Sequence, residues 1–362
     1  MSEPPLLSIC VPTYNRAERL RLALLCLSEQ ICGLEEDVEV IVSDNCSQDH
    51  TREVVKEVQS RMPLLYSRNA ENLGSARNFV KATCELASGE YCWIIGDDDM
   101  IRKGKVAKIL GVIKANQDLD YFFMNHFYKS VEERDHTILE MGSFLEPSVE
   151  DCFCKDLTDH RMKRWEDLLV IENSCPTTQF TSMVCHIMRR PLWREGARQL
   201  SLKGDSDYTS LDFSFPHLKV AAVTMAGKPA FYIGDPCILL AVGAQEWISL
   251  MPAISFVGLD QAIDLYKKCG VDKSIVRSLR DYYYQQYAPM LFTGERRLSV
   301  EGNRYLRAFA RQNWMHPLKM GMLAYYAGRK YVLGSVIPTL PRPIFMMLRA
   351  AKRTFFGIST KA

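Results

Sequence analysis

The first 130 residues alternate between two hydrophobic periodicities. Short, nearly continuous apolar runs are typical of buried strands. They are separated by segments whose apolar residues recur every three to four positions, as on one face of an amphipathic helix. The apolar runs predict strands at 7–11, 38–42, 64–66, 91–95 and 121–127. Helices are predicted from Asn15, with Glu18 as its capping partner, from Ser47 or Asp49 through Arg61, and over 75–87.

This order of elements predicts an α/β fold with a mostly parallel central sheet flanked by helices. Strands that alternate with helices are joined by right-handed crossovers, which makes neighbouring strands parallel. In such sheets, ligands bind beyond the carboxyl ends of the strands. Polar segments follow three of the predicted strands, at 13–15, 44–45 and 97–99. The sequence therefore predicts that these three segments form one site at one edge of the sheet.

The most unusual of these segments is a run of three aspartates, Asp97, Asp98 and Asp99. Adjacent carboxylates repel one another unless a cation offsets their charge. Mg²⁺ takes oxygen ligands and is often held by one or two carboxylates together with substrate phosphates. The alternative is a solvated turn in which an aspartate caps the next helix. The position of the run at the end of an apolar strand favours a metal site.

Four segments of the chain, taken together, resemble the family 2 glycosyltransferases of the GT-A fold. They are SICVPTYNR at 8–16, VIVSDNCSQDHT at 40–51, NLGSARNF at 72–79 and GEYCWIIGDDD at 89–99. The resemblance covers about the first third of the chain. Gly96 stands where many members have the first aspartate of their DxD signature. The Gly-Asp-Asp-Asp form is similar to a subgroup that includes abequosyltransferase-like, lipopolysaccharide-assembling enzymes.

The resemblance implies a role for each matching residue. Thr13 and Asp44 would contact the nucleotide base, while Asn15 and Arg16 would lie beside the ribose and diphosphate. Asp98 and Asp99 would hold Mg²⁺ or Mn²⁺ on the diphosphate. The whole set expected to bind the nucleotide sugar is Pro12, Thr13, Tyr14, Asn15, Arg16, Asp44, Asn45, Arg77 and Asp97.

The catalytic base is expected further along the chain. The segment 227–236 resembles the strand that follows the family's catalytic Glu-Asp motif. Counting back from it makes Asp212 the first candidate, followed by Asp207 and Asp205. The usual glutamate is missing before Asp212, and the alternative role for any one of these acids is a helix cap. His217 is a further candidate for contacting acceptor or diphosphate, although a lone histidine is more often structural.

The charge is distributed unevenly along the chain. Of 45 Lys and Arg residues, eleven lie beyond Glu301, whereas all 43 Asp and Glu residues lie at or before it. Residues 1–301 therefore carry a net charge of −9 and residues 302–362 a net charge of +11. Aromatic and aliphatic residues are interleaved with the basic residues of this tail. The pattern favours association with an anionic membrane surface over a nucleic-acid partner.

These observations predict the organisation of the chain. We expect a GT-A catalytic domain at 1–245, with a donor-binding half at 1–130 and an acceptor half at 131–245. A helical segment at 246–301 and the basic tail at 302–362 would follow. No signal sequence is visible at the N-terminus, and the twelve scattered cysteines are typical of reduced thiols. A location on the cytoplasmic face of the inner membrane is expected.

The resemblance implies transfer of a sugar from a nucleoside diphosphate sugar to a hydroxyl of a saccharide acceptor. The acceptor is expected to be lipid-linked, in lipopolysaccharide or polysaccharide biosynthesis, and members of the family usually invert the anomeric centre. Two alternatives stay open. One is a GT-A scaffold without turnover. The other is a sugar-phosphate nucleotidyltransferase, which would need a Gly-rich loop with Arg and Lys that residues 12–16 do not provide.

Overall fold

The computed structural model describes residues 3–130, 146–171, 182–204, 210–242 and 251–293. The strands are β1 (Leu7–Thr13), β2 (Val38–Asp44), β3 (Leu65–Arg68), β4 (Tyr91–Ile94), β5 (Met100–Ile101), β6 (Tyr121–Ser130), β7 (His160–Met162), β8 (His186–Arg189) and β9 (Ala230–Val242). The α-helices are α1 (Ala17–Ile31), α2 (Thr51–Gln59), α3 (Ser75–Lys81), α4 (Lys105–Ala115), α5 (Arg190–Ala197), α6 (Leu211–Ser214), α7 (Pro216–Met225), α8 (Met251–Lys268) and α9 (Lys273–Thr293).

All strands of the described residues belong to one sheet, in the order β3-β2-β1-β4-β8-β6-β9-β5, with β7 pairing to β9 off this path. The N-terminal half is parallel, as predicted, because β1 pairs in parallel with both β2 and β4, and β2 with β3. The C-terminal half is mixed. Strand β8 lies antiparallel between β4 and β6, and β9 is parallel to β6 but antiparallel to β5 and β7.

The core of the N-terminal half is built around β1. All seven residues of this strand are buried, which explains its unbroken apolar run, since helices cover both faces of the sheet. Helix α1 contributes Leu20, Leu24 and Leu27 to the same core. This spacing of three to four residues is the helical periodicity read from the sequence.

Most boundaries differ from the predicted ranges by a few residues, and two elements differ in kind. The helix predicted over 75–87 is α3 followed by a π-helical turn, Ala82–Leu86. The two-residue strand β5, directly after the aspartate run, was not predicted. Sequence periodicity cannot reveal a strand this short, because its existence depends on pairing with β9 from the other end of the domain.

Strand β9 is interrupted where it passes β6. The pairing shifts from Met124 with Ile233 to His126 with Ile238, so residues 234–237 bulge out of the ladder. The buried Asn125 stabilises the bulge by donating hydrogen bonds to the carbonyl oxygens of Gly234 and Cys154. A side chain at position 234 would overlap the carbonyl group of Thr158. Beyond the bulge, β9 pairs with β5 and so runs beside the aspartate run.

Helices α8 and α9 lie within 246–301, the range that was expected to be helical. Among the residues that the structure describes, no helix is long and apolar enough to cross a membrane. The tail at 302–362 lies outside these residues.

Candidate active site

The carboxyl ends of β1, β2 and β4 lie side by side at one edge of the sheet. Thr13, the last residue of β1, is paired in register with Asp44, the last residue of β2. The aspartate run follows β4, the neighbour of β1 on its other side. The Thr13 hydroxyl donates a hydrogen bond of 2.7 Å to Oδ2 of Asp97. The three polar segments singled out in the sequence are therefore brought together.

Arg16 lies against the aspartate run. Its guanidinium Nη1 donates to Oδ1 of Asp97 at 3.1 Å and to Oδ2 of Asp98 at 3.0 Å. Nη1 of Arg19, one helical turn further along α1, lies 3.7 Å from the same oxygen of Asp98. Asp97 and Asp98 are both buried. Two buried carboxylates thus face two guanidinium groups, and Asp99 follows them directly in the run.

The pKa values of the carboxyl groups reflect this excess of negative charge. Burial, with the neighbouring charge of Asp98, raises the pKa of Asp97 to about 6. Arg16 and the Thr13 hydroxyl act in the opposite direction but do not cancel this effect. Burial and the charges of Asp98 and Asp97 also raise the pKa of Asp99 well above its ordinary value. The cluster would therefore gain from a further cation.

The donor set fits a hard divalent cation. Among the described residues, no three or more His, Cys, Asp or Glu side chains form a group that could hold a metal. One or two carboxylates suffice where substrate phosphates supply other ligands. Gly96 leaves the space that these carboxylates use, since a Cβ there would lie 2.5 Å from Oδ2 of Asp99 and 2.9 Å from Oδ1 of Asp98. Both oxygens of Asp97 are engaged, by Thr13 and Arg16, whereas Arg16 and Arg19 approach Asp98 through Oδ2.

Asp44 is almost completely buried and is held by hydrogen bonds on both carboxylate oxygens. Oδ1 accepts from the backbone N–H of Ser47 at 2.8 Å, and Oδ2 accepts from the Tyr66 hydroxyl at 2.6 Å. Nε of Arg68 lies 3.5 Å from Oδ2. Burial and the adjacent carboxylate raise the pKa of Tyr66 to about 12, so its hydroxyl remains a donor.

A cavity of about 300 Å³ opens beside Asp44. Its lining consists of charged and hydroxyl side chains: Asp44, Ser47, Asp49, Arg52, Glu53 and Arg68. Sequence reasoning did not single out Tyr66, Arg52 or Arg68. The available signal was the predicted third strand, because a strand parallel to β2 ends at the same edge, and Arg68 is indeed paired in register with Asp44.

Asn15 does not cap α1, so that prediction was wrong. Its backbone is left-handed, with φ of 54°, and its side-chain Oδ1 accepts from the backbone N–H of Gln48. The cap comes instead from Asp49, whose Oδ2 accepts from the N–H of Ala17 at 3.0 Å. Its Oδ1 accepts from the N–H of Thr51 at the start of α2. One carboxylate thus holds the first turns of both helices that border the site.

Four other residues predicted to bind the nucleotide sugar are engaged within the protein, buried or exposed. Asn45 accepts from the N–H of Leu73 and so holds the loop before α3. Arg77 donates to the carbonyl oxygens of Leu73 and Gly204. Tyr14 is 39% exposed. Pro12 is buried in β1.

Asp212, the first candidate for the base, lies in the short helix α6, which packs against α3. Its carboxylate accepts from the backbone N–H of Ser201 at 2.7 Å and forms an ion pair with Lys219 at 2.9 Å. His217 is buried, with its ring against that of His186. Asp205 and Asp207 lie outside the described residues.

Comparison with known proteins agrees with this geometry. The model of the family "Glycosyl transferase family 2" matches residues 8–191. The abequosyltransferase RfbV of Salmonella typhimurium is 39% identical over 116 residues, which cover 32% of this chain and 34% of that protein. The GalNAc(5)-diNAcBac-PP-undecaprenol beta-1,3-glucosyltransferase of Campylobacter jejuni is 32% identical over 126 residues, which cover 33% and 38%. The aligned part is thus little more than a third of either relative.

A solved structure extends the similarity of fold to most of the chain. S. aureus TarS 1-349 in complex with UDP-GlcNAc superposes with a TM-score of 0.58 over 96% of this chain and 85% of that one. The sequences are 15% identical, so this likeness shows the GT-A fold alone. The family match spans half of the chain and contains β1, β2, β4 and the aspartate run. The chain belongs to glycosyl transferase family 2.

Proposed function

We propose that this protein moves a sugar from a nucleoside diphosphate sugar to a hydroxyl of a saccharide acceptor, with Mg²⁺ or Mn²⁺ on the diphosphate. The observation that carries the proposal is the meeting of Thr13, Arg16 and Asp97–Asp99 beside Asp44 at one edge of the sheet. This arrangement offers a buried hydrogen-bond acceptor for a base and a mixed charge cluster for a diphosphate. The family and its relatives support sugar transfer as the reaction.

Each residue of this site has a separate role in the proposed reaction. Asp44, held by Ser47 and Tyr66, accepts a hydrogen bond from the nucleobase. Arg16 stabilises the negative charge that develops on the departing diphosphate. Asp98 and Asp99 would hold the divalent cation, which supplies Lewis-acid stabilisation of the same leaving group.

The acceptor hydroxyl must lose its proton to a carboxylate within hydrogen-bond reach. Asp212 is our first choice for this base, with Asp207 and Asp205 as the alternatives on the same segment. The ion pair with Lys219 favours the charged carboxylate, which is the form a base requires. A single displacement with inversion of the anomeric centre follows from attack on the face opposite the diphosphate.

The acceptor is proposed to be a lipid-linked saccharide in the assembly of lipopolysaccharide or another surface polysaccharide. The name of the Campylobacter relative refers to an undecaprenol-linked saccharide, and the Salmonella relative is named as an abequosyltransferase. The eleven Lys and Arg residues at 302–362 would hold the enzyme peripherally on the anionic cytoplasmic face of the membrane.

A thermal-shift screen of UDP, GDP, CDP and dTDP, and of their sugars, with and without Mn²⁺ tests this proposal. A ligand that binds the native state raises the midpoint of unfolding, so one nucleotide should stabilise the chain in the presence of Mn²⁺. That nucleotide's sugar should then be hydrolysed slowly by the wild type and not by Asp98→Ala or Asp99→Ala. Binding without any turnover would identify a scaffold. Full activity in both variants would contradict the metal assignment.

A further inference from the structure

The position of Arg16 raises a question about how a metal reaches the aspartate run. Its Nη1 lies 3.1 Å from Asp97 and 3.0 Å from Asp98, so one guanidinium bridges two of the three carboxylates. The oxygen of Asp98 that it contacts, Oδ2, is also approached by Arg19 at 3.7 Å. The protein's own cations therefore lie against a carboxylate that a divalent cation would use.

The backbone on both sides of Arg16 is fixed. Asn15 is held in a left-handed conformation, with its backbone N–H on Ser47 Oγ at 3.0 Å and its side chain on Gln48. Ala17 is held by Asp49 at 3.0 Å. Arg16 thus projects from a junction between β1 and α1 whose neighbouring residues are held by hydrogen bonds, so we expect its long side chain to move more readily than its backbone. That side chain is 19% exposed, more than the side chains of Asp97 and Asp98 at 6% and 9%.

A guanidinium and a divalent metal cannot both occupy the same side of one carboxylate without strong repulsion, because their like charges would lie within a few ångströms. A diphosphate entering beside the metal offers the guanidinium a better partner. Arginine binds phosphate oxygens through its planar fork of N–H donors. Arg16 therefore has two possible partners, the aspartate run and the diphosphate. Binding of the metal together with the diphosphate favours the second.

We propose that Arg16 is an internal cation that competes with the divalent metal for Asp98 and passes to the diphosphate when metal and donor bind together. Arg16 then couples the binding of the metal to the binding of the diphosphate. Each of these ligands favours the position of the guanidinium away from Asp98, and in that position the other ligand binds more tightly. The inference rests on the proposed function, since it needs both a metal and a diphosphate at this edge.

The test is a thermodynamic cycle on the full chain. Mn²⁺ affinity is measured by the loss of the electron paramagnetic resonance signal of the free ion. It is measured with and without a saturating amount of whichever of UDP, GDP, CDP and dTDP stabilises the wild type most. In Arg16→Gln, Mn²⁺ should bind roughly tenfold tighter without nucleotide, because its competitor is gone. The factor by which the nucleotide strengthens Mn²⁺ binding should fall by a similar amount.

Two further variants make the result specific. Arg21→Gln removes a cation from the same helix, but one that pairs with Glu57 at the surface, and it should leave both Mn²⁺ affinities unchanged. Arg16→Lys keeps the charge, so it provides a second test if the glutamine variant does not fold. Since a lysine keeps a competing charge but not the guanidinium geometry that places Nη1 on both carboxylates, the Mn²⁺ affinity of this variant should lie between those of the wild type and Arg16→Gln.

The outcomes distinguish the proposed role of Arg16 from the proposed function of the protein. If the wild type binds Mn²⁺ and the nucleotide, but folded Arg16→Gln and Arg16→Lys show the wild-type Mn²⁺ affinity and coupling factor, the role of Arg16 is refuted and the proposed function stands. If the wild type binds neither, both are refuted. A weaker Mn²⁺ affinity in Arg16→Gln without nucleotide would also refute competition, since it would make Arg16 an aid to metal binding.

Discussion

Replacing Asp97 by asparagine should make the metal-free protein more stable. The pKa of this buried carboxyl group is raised from 3.8 to about 6. Each pKa unit corresponds to about 1.4 kcal/mol of free energy, so full ionisation of Asp97 at neutral pH costs the native state about 3 kcal/mol. Asparagine removes this cost and still accepts from the Thr13 hydroxyl, but it gives up the ion pair with Arg16. We therefore expect a net stabilisation of about 1–3 kcal/mol at pH 8.

The sign of the pH dependence follows from the same shift. Because the native pKa lies above the unfolded one, the native state binds more protons than the unfolded chain between about pH 4 and pH 6. The contribution of Asp97 to stability is therefore lost as the pH rises through this window. Between pH 5 and pH 8 the wild type should lose the remaining part of this contribution, about half of it, whereas Asp97→Asn should not. The raised pKa of Asp99 acts in the same direction and persists in both proteins.

The assay is thermal or urea unfolding of the full chain in EDTA at pH 5 and pH 8. In domains of 150–250 residues, 1 kcal/mol shifts the midpoint by about 2–4 °C, so the expected difference at pH 8 is readily measured. Glu57→Gln, at an exposed surface ion pair, is the matched control and should change little at either pH. An Asp97→Asn variant less stable than the wild type at pH 8, or one whose advantage is equal at both pH values, would refute the reasoning.

Three further predictions concern the other parts of the site. Tyr66→Phe removes the 2.6 Å hydrogen bond to Asp44. This variant should weaken nucleotide binding about threefold to tenfold, measured by titration calorimetry. Unchanged affinity would show that Tyr66 does not contribute to nucleobase binding. Asp212→Asn should lower the turnover number of transfer at least about 100-fold while nucleotide affinity stays within twofold, as expected for a base. An equal loss of nucleotide binding would indicate that Asp212 acts through the fold. A chain ending at Glu301 should lose binding to vesicles containing anionic lipid, and equal sedimentation with the full chain would contradict the role of residues 302–362.

The sequence predicted the parallel half of the sheet better than the antiparallel half, for a physical reason. Strands β1, β2 and β4 are buried on both faces, so their apolar runs are evident without knowledge of their neighbours. Strand β8 lies between β4 and β6 although it follows β6 by more than fifty residues. Nothing in its four residues specifies that position. Only the completed half-sheet provides the edge on which β8 pairs.

The same contrast, between what the local sequence predicts and what depends on the completed fold, applies to the residues of the site. The ends of the predicted strands placed Thr13, Asp44 and Asp97 at one edge, and the family resemblance added Arg16. Their partners were not visible in the same way. Asp49 caps a helix that begins 32 residues earlier in the chain, and local capping rules assign that task to Asn15 instead. Capping preferences describe the nearest polar side chain in sequence, whereas this junction uses the nearest one in space.

Gly96 shows how a departure from the family's pattern can be understood from the structure. The family signature that the sequence resembles implies an aspartate at this position, yet here a Cβ would collide with the carboxylates of Asp98 and Asp99. The loop thus holds its acidic groups in the volume that a side chain at 96 would occupy. The additional aspartate, Asp97, is turned toward Thr13 and Arg16 on the β1 side. Gly96 and Asp97 therefore act together in this loop, because Gly96 leaves room for the carboxylates of Asp98 and Asp99 while Asp97 accepts from Arg16. In the proposed function, this arrangement keeps two acidic groups for a cation and uses the third to hold Arg16 beside them.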